Sequence, residues 1–563
     1  MDGSDPKHLL FLCALQNAVK HGGIPQAGAV IGTVMGAHPE LRSRAKEVSS
    51  LAKEAIANVA SLSADERVAK LKELAPEMYE AIFEKHEHKK VLPDLEGSEK
   101  GVVMRFAPNP SGPLHIGHAR AAALNDVYVK QCGGRYILRI EDTDPKRVDP
   151  LAYEMVKEDI QWLGLGITET VTQSDRLSIY YDLCEQLIRK GGAYVCTCDN
   201  EHFKELKQAK TACPHRAQSV EENIDLWKRM LDHRFKEGEA SVRVKTDLNH
   251  PDPAMRDFPA FRTLDSPPHP KVKARVYPLM NFSVVADDHL LGVTHVIRGK
   301  DHIANTRRQR YIYDHFGWTV PVYRHYGRMG IEGVVLSTSQ MRIGINEGTY
   351  CGWDDIRLGT LRALARRGIS PEAVKNAMIA IGIGDVDISF SWDNLYAENR
   401  KIVDPVANRY FFVPDPIGIS INGAPDHIAH AMLHPSDPAR GTRTLRFEGT
   451  ALVPRSEVVP GTTMLRLKDL FNVNISWEGD TPSFSYAGDA LADARAAKAH
   501  IVQWLPVLEA VPCTLLTQDG RMCGVCEPAV KGEYRNVVQF ERVGFARIDS
   551  VDDTGITAYF THK

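Results

Sequence analysis

Residues 105–120 read RFAPNPSGPLHIGHAR, and this stretch constrains the fold more than any other. The apolar, strand-like GVVMRF ends near Arg105, and a loop stiffened by proline carries the chain to a helix that starts near His115. A helix N-terminus presents unpaired N–H groups and a partial positive charge, so it is a natural seat for an anion. Gly117 has no side chain, which lets a group approach the backbone closely. His115 and His118 can donate hydrogen bonds to phosphate oxygens as charge develops there. A histidine pair at this spacing is, by itself, more often structural or a fragment of a metal site. The preceding strand and the Pro/Gly loop make the pattern specific.

Strand and helix keep alternating beyond it. GRYILRIED reads as a second strand, DPLAYEMVKEDIQWLG as a second helix, VTHVIRG as a later strand and DHIANTRRQRYIYDHFG as its helix. That alternation predicts a parallel α/β sheet of Rossmann type over residues 101–345, with a less regular insertion at 195–275. A chain of 563 residues is too long for one core, and roughly three to five domains are expected. Residues 1–90 read as an N-terminal helical domain. Asp5-Pro6 is a helix start, and Ser63 with Glu66 is a capping-box pattern. Residues 91–100 read as a linker and 346–404 as a helical region. Residues 405–563 carry short strands such as RTLRFEG and VVQFERVGFARID between turn residues, which predicts an all-β part made of two barrels.

The formal net charge of −3 means that any nucleic-acid surface must be a local cluster of Lys and Arg. The apolar run Leu9–Leu15 is short, with Asp2 and Asp5 upstream and no clear cleavage site, so it reads as a buried helix rather than a secretory signal. No stretch approaches the ~18 apolar residues of a membrane span, so no membrane partner is expected. Ten cysteines over this length do not make a disulfide framework, and the expected compartment is the cytoplasm. Cys196, Cys198, Cys213 and His215 supply three sulfurs and one nitrogen at C-x-C…C-x-H spacing, a set suited to structural Zn2+. Cys513, Cys523 and Cys526 lack an obvious fourth ligand and read as unpaired thiols.

The HIGH stretch together with LRIEDTDP, DDHLLGVTHVIRGKDH, GWDDIRLGTLRALARRG and RLKDLFNV resembles the class I aminoacyl-tRNA synthetases, in their glutamyl/glutaminyl branch. Residues 1–90 resemble the extension of the archaeal glutamyl enzymes, and 405–563 the β-barrel anticodon domains of the archaeal and glutaminyl type. The resemblance implies ATP and Mg2+, L-glutamate and tRNA-Glu, with tRNA-Gln as a second acceptor in non-discriminating relatives. It implies a monomer whose N-terminal domain could dock on another synthetase or an amidotransferase. The helical region 346–404 would meet the tRNA stem, and the insertion its acceptor end.

Carried over by motif, Arg105 would contact the bound amino acid and Glu141 its ammonium group. Arg298 would meet the side-chain carboxylate, a position where glutaminyl enzymes lack arginine. Met280 stands where many relatives have tyrosine. Arg328 and Met329 would cradle adenine. The family's second ATP loop departs from its usual pattern: in VVLSTSQMR the two lysine positions are Val335 and Thr338, Gln340 stands where archaeal relatives often carry lysine, Ser337 and Ser339 remain, and Arg342 is the nearest base. The expectation is that hydroxyls and backbone donors of this loop, with Arg342 and magnesium, hold the phosphates. The rival readings are a glutaminyl-tRNA synthetase, which Arg298 disfavours, and a non-catalytic tRNA-binding scaffold, whose support is the lysine-free loop.

Overall fold

The computed structural model describes residues 5–21, 23–38, 41, 44–83 and 92–563, and the chain divides into two compact units, Met1–Val91 and Leu92–Lys563. The first holds α1 (Pro6–His21), α2 (Ala27–Ala37), α3 (Ala45–Ala60), α4 (Ala64–Leu74) and α5 (Pro76–Phe83). Helix α1 starts where the sequence places it, with the Lys7 N–H donating to Asp5 Oδ1 at 3.0 Å. Ser63 and Glu66 close a full capping box at the start of α4. The apolar run near residue 10 lies within α1, and Leu10, Leu12 and Leu15 are buried with Val48, Ala52 and Val59 of α3. Burial on a helix face explains its hydrophobicity.

The second unit opens with three parallel strands, β1 (Val102–Phe106), β2 (Gly134–Ile140) and β3 (Glu169–Thr172), connected through α6 (Ile116–Cys132) and α7 (Ala152–Leu163). After α8 (Leu177–Arg189) comes an antiparallel sheet of β4 (Ala193–Cys196), β5 (Ser241–Val244), β6 (Pro259–Thr263) and β7 (Val276–Pro278). Helices α9 (Asn200–Gln208) and α10 (Val220–Leu231) lie within it in sequence. The insertion is therefore a regular α+β element around Trp227, Phe261 and Phe282. Its strands span three to five residues, too short for an alternating pattern to show in sequence.

The chain then returns to the Rossmann sheet with α11 (Met280–Leu290), β8 (His295–Gly299), α12 (Ile303–Phe316) and β9 (Val322–Tyr326), β8 and β9 being parallel. Thr294 stitches the two halves: its N–H donates to Val103 O at 2.9 Å, and the Val103 N–H donates to its Oγ1 at 2.9 Å. The spatial order β3-β2-β1-β8-β9 reverses between β1 and β8. In open α/β sheets that switch point, at the carboxyl ends of the strands, is where ligands bind.

Strand β10 (Met329–Gly330) pairs with β11 (Ile388–Ser389), and α13 (Thr338–Asn346), α14 (Leu361–Arg366), α15 (Pro371–Ile381) and α16 (Trp392–Val403) complete this part. Leu361, Leu364, Val374 and Met378 are buried in one core with Val102, Met104, Ile116 and Leu138. Leu92 and Leu95 join it too, so the expected linker is packed from Leu92 onward, while residues 84–91 lie outside the described residues. Two seven-stranded sheets follow, with separate cores around Phe447, Phe471 and Trp504 and around Phe412, Leu515 and Phe540. Among the described residues no helix is long and apolar enough to cross a membrane.

Candidate active site

At the switch point lies a cavity of about 650 Å³ lined by Arg105, Gly117, His118, Glu141, Met280, Arg298, Arg328 and Met329, among others. Its inner wall is a buried charge network. Asp288, on α11, accepts from Arg105 Nε at 3.2 Å and from an Arg139 amino group at 2.5 Å. Arg139 also donates to Glu141 Oε1 at 3.0 Å. Burial pushes the Asp288 carboxyl up, but Arg139 and Arg105 outweigh it and hold the group below its ordinary range. Burial raises Glu141 and wins over the same two arginines. Arg298 projects from β8 with 8% exposure and donates to Thr306 Oγ1 at 2.5 Å and Gln309 Oε1 at 2.8 Å. Burial, then the nearby Arg105, lowers its pKa to about 10, so it stays charged at neutral pH.

The histidine pair sits at the start of α6. His115 is the N-cap, and its Nδ1 accepts from the Gly117 N–H at 3.1 Å. The His115 N–H donates to His118 Nδ1 at 3.2 Å, and the two rings stack with centroids 3.8 Å apart. Since both Nδ1 atoms accept, each neutral ring carries its proton on Nε2, which is left to donate outward. Burial lowers His115 to about 4 and His118 well below its ordinary value, so both rings are neutral at pH 7. Gly117 lines the cavity, and its lack of a side chain also makes room for the capping ring. An added Cβ would stand 2.9 Å from His115 Cε1, so the capping ring itself requires the glycine.

His118 also lines a second cavity, of about 570 Å³, with His115, Asn109, Lys146, Arg147, Ser337, Thr338, Ser339 and Arg342. The Ser337 side chain caps α13 by accepting from the Gln340 N–H at 3.4 Å. The Gln340 side chain lines neither cavity. Arg342 pairs with Asp149 at 3.0 Å and donates to Ser111 O, tying α13 to the loop that follows β1. On the far side of the first cavity, Arg120 of α6 donates to Gly327 O at 2.8 Å and so fixes the segment that presents Arg328 and Met329. Gly327 is itself forced by Val386 O, which an added Cβ would meet at 2.0 Å.

Cys196, Cys198, Cys213 and His215 converge away from these cavities, with their four ligand atoms within 4.8 Å of one another. The Sγ–Sγ distances from Cys213 to Cys196 and Cys198 are 3.6 and 3.4 Å, and His215 Nδ1 lies 3.3 and 3.2 Å from Cys198 and Cys213. Tetrahedral zinc, with bonds of ~2.0–2.3 Å, needs ligand atoms spaced roughly as these are. His215 Nε2 contacts Thr197 Oγ1 at 2.8 Å, which turns Nδ1 toward the thiols. Cys513 and Cys526 are buried and Cys523 is exposed, away from this set.

A family described as tRNA synthetases class I (E and Q), catalytic domain, matches residues 101–405. The anti-codon binding domains of the same class match 407–486 and 501–549. The chain belongs to this family. It is 69% identical to the glutamate–tRNA ligase of Methanoregula boonei and 65% identical to that of Methanoculleus marisnigri, each over 100% of both chains. It is 50% identical to the glutamate–tRNA ligase of Pyrococcus abyssi over 98% of both.

Within this class I framework, the residues that motif reading missed are partners. Arg139 and Asp288 lie inside the quoted RIED and DDHLLG stretches, yet nothing local marks them. Asp288 is 183 residues from Arg105. Lys146 and Arg147, on the 3-10 turn Pro145–Arg147, face the second cavity, and a basic pair directly after EDTDP was the available signal.

Proposed function

We propose that this chain is a glutamate–tRNA ligase that activates L-glutamate with ATP and transfers it to the 3′ end of tRNA-Glu. The observation that carries the glutamate reading is Arg298, a buried guanidinium with neutral partners on the wall of the switch-point cavity. An anionic side chain satisfies it; a carboxamide leaves a desolvated charge unpaired. Glu141 on the same cavity would receive the ammonium group, with Arg105 beside it and Met280 completing the wall.

The α-carboxylate oxygen attacks the α-phosphorus of ATP and pyrophosphate leaves; a ribose hydroxyl of the terminal adenosine then attacks the adenylate's carbonyl carbon, AMP leaves, and the hydroxyl proton passes to the departing phosphate or to solvent. This chemistry needs positioning and charge stabilisation more than a protein nucleophile. His118 lines both cavities and His115 the second, which supports a role in which their Nε2–H groups donate at the junction between amino acid and phosphates. Arg328 and Met329 would hold the adenine. Hydroxyl and backbone groups of Ser337, Thr338 and Ser339, with Arg342, would flank the phosphates. Magnesium accompanying ATP supplies further charge neutralisation when bound.

The Cys/His set would hold structural Zn2+ that stiffens the insertion for the tRNA acceptor end, and the two C-terminal sheets would read the anticodon. Metal analysis of the purified protein should give one zinc per chain, falling to none in Cys213→Ser.

The deciding test is charging of tRNA-Glu and tRNA-Gln transcripts with glutamate, with glutamine as control. Glutamate on tRNA-Glu alone means a discriminating enzyme. Glutamate on both means a non-discriminating one, whose product on tRNA-Gln an amidotransferase must convert. Charging of neither overturns the reading in favour of a non-catalytic scaffold.

A further inference from the structure

Among the buried arginines at the amino-acid cavity, Arg105, Arg139 and Arg298 differ in the charge of their partners. Arg105 and Arg139 share the Asp288 carboxylate, and Arg139 also holds Glu141. Arg298 has Thr306 Oγ1 and Gln309 Oε1, and among the described residues no carboxylate lies within ion-pair distance of it. Its guanidinium lies 4.8 Å from the centroid of the Tyr323 ring. Arg298 Nε and Gln309 Nε2 are both buried without a hydrogen-bond partner. Unpaired buried donors of this kind call for a functional explanation, because each costs stability that packing alone does not recover.

The origin of the neutral shell is local. Thr306 and Gln309 are three residues apart on α12 and so share one face of the helix, turned toward the end of β8. The Thr306 hydroxyl is also held, lying 3.2 Å from His302 O and 2.8 Å from His325 Nε2. Gln309 is fully buried, so its amide is fixed in place. Together they present two oxygens to one amino group of the guanidinium, Nη2, and no negative charge. Arg105 and Arg139 are thus each bonded to a carboxylate, and Arg298 is not. Glutamate would bring a side-chain carboxylate to that guanidinium, and glutamine only a neutral amide.

We propose that Gln309, supported by Thr306, is a specificity-determining positioning residue: it orients Arg298 without neutralising it, reserving the charge for an anionic side chain. This rests on the reading that Arg298 meets the substrate's side-chain carboxylate. A glutamate at position 309 is nearly isosteric with the amide and would form a charge-assisted pair at the same site. The substrate carboxylate would then have to compete with a permanent internal one.

The experiment measures tRNA-Glu charging by the full-length enzyme with glutamate and with glutamine, in wild type, Gln309→Glu and Gln309→Met. In Gln309→Glu, kcat/KM for glutamate should fall about 100-fold, mostly through KM. The value for glutamine should not fall with it, so the glutamate/glutamine ratio drops by at least about 10-fold, while KM for ATP stays within about 2-fold. Gln309→Met removes the acceptor but adds no charge; it should raise KM for glutamate and keep glutamate strongly preferred. A Gln309→Glu enzyme with the wild-type ratio, whatever its overall rate, overturns the proposal. If Gln309→Glu does not fold, a Gln309→Met enzyme whose KM for glutamate is unchanged overturns it equally. Should the wild-type enzyme fail to charge glutamate, the underlying reading falls first, and that outcome is distinct from either.

Discussion

On one side of His118 the charges are buried: Arg105 and Arg139 are bound to Asp288, Arg298 is held by neutral groups, and all four are under a tenth exposed. On the other side, the cations of the second cavity reach solvent. The Lys146 side chain is 58% exposed in its pair with Glu237, and that of Arg342 is 40% exposed in its pair with Asp149. A charge in low dielectric interacts strongly and is barely screened by salt, whereas an exposed one is hydrated and screened within about 8–10 Å at ordinary ionic strength. The amino-acid side is therefore built to discriminate and the phosphate side to attract. Discrimination needs the penalty of an unpaired buried charge, while triphosphate binding needs only a summed positive field that several groups can share.

The largest effect is expected where this contrast is broken outright. Arg298→Leu should cut kcat/KM for glutamate by about 1,000-fold or more, with KM for ATP little changed, as measured by tRNA charging. On the phosphate side the loss should be graded. Arg342→Ala should raise KM for ATP by about 10-fold, because the groups that share the load remain. An unchanged ATP requirement would show that Arg342 serves only to tie α13 to the β1 loop. Raising salt from 50 to 300 mM sharpens the comparison further: KM for ATP should rise a few-fold more than KM for glutamate.

The smallest effect concerns His115. Its folded pKa of about 4 lies below the ordinary 6.5, so between those values the unfolded chain binds a proton that the folded site refuses. This contribution to stability is complete above pH 6.5 and is lost as pH falls toward 4. Between pH 7 and 5 the melting temperature should drop less in His115→Asn than in wild type. Imidazole NMR at pH 6 should show the neutral Nε2–H form.

Glu141 and Arg298 are legible in sequence because each sits in a contiguous motif, and the structure brings both to the switch-point cavity. Gln340 and Gly117 show the limit of such reading. Gln340 fills a place in a pattern, yet its side chain reaches neither cavity and only its backbone N–H is used. Gly117 lines the cavity, but the packing of the His115 ring against it is a detail that no local pattern shows. Arg342 was found as the nearest base to the loop, and the tertiary contact with Asp149 shows that part of its charge is already engaged.

What the sequence by itself determined is whatever depends on neighbours along the chain. The N-cap of α1 at Asp5, the Ser63–Glu66 box, the strand–loop–helix ending in His115 and the C-x-C and C-x-H halves of the thiol set arise from backbone geometry and spacings of a few residues. Tertiary structure decided which groups meet: Asp288 with Arg139 across 149 residues, and the two halves of the Cys/His set. It also decided the character of Arg298, because a buried arginine is neutralised or left available by the charge of what packs against it. That choice belongs to one face of α12, placed against β8 only when the sheet is assembled.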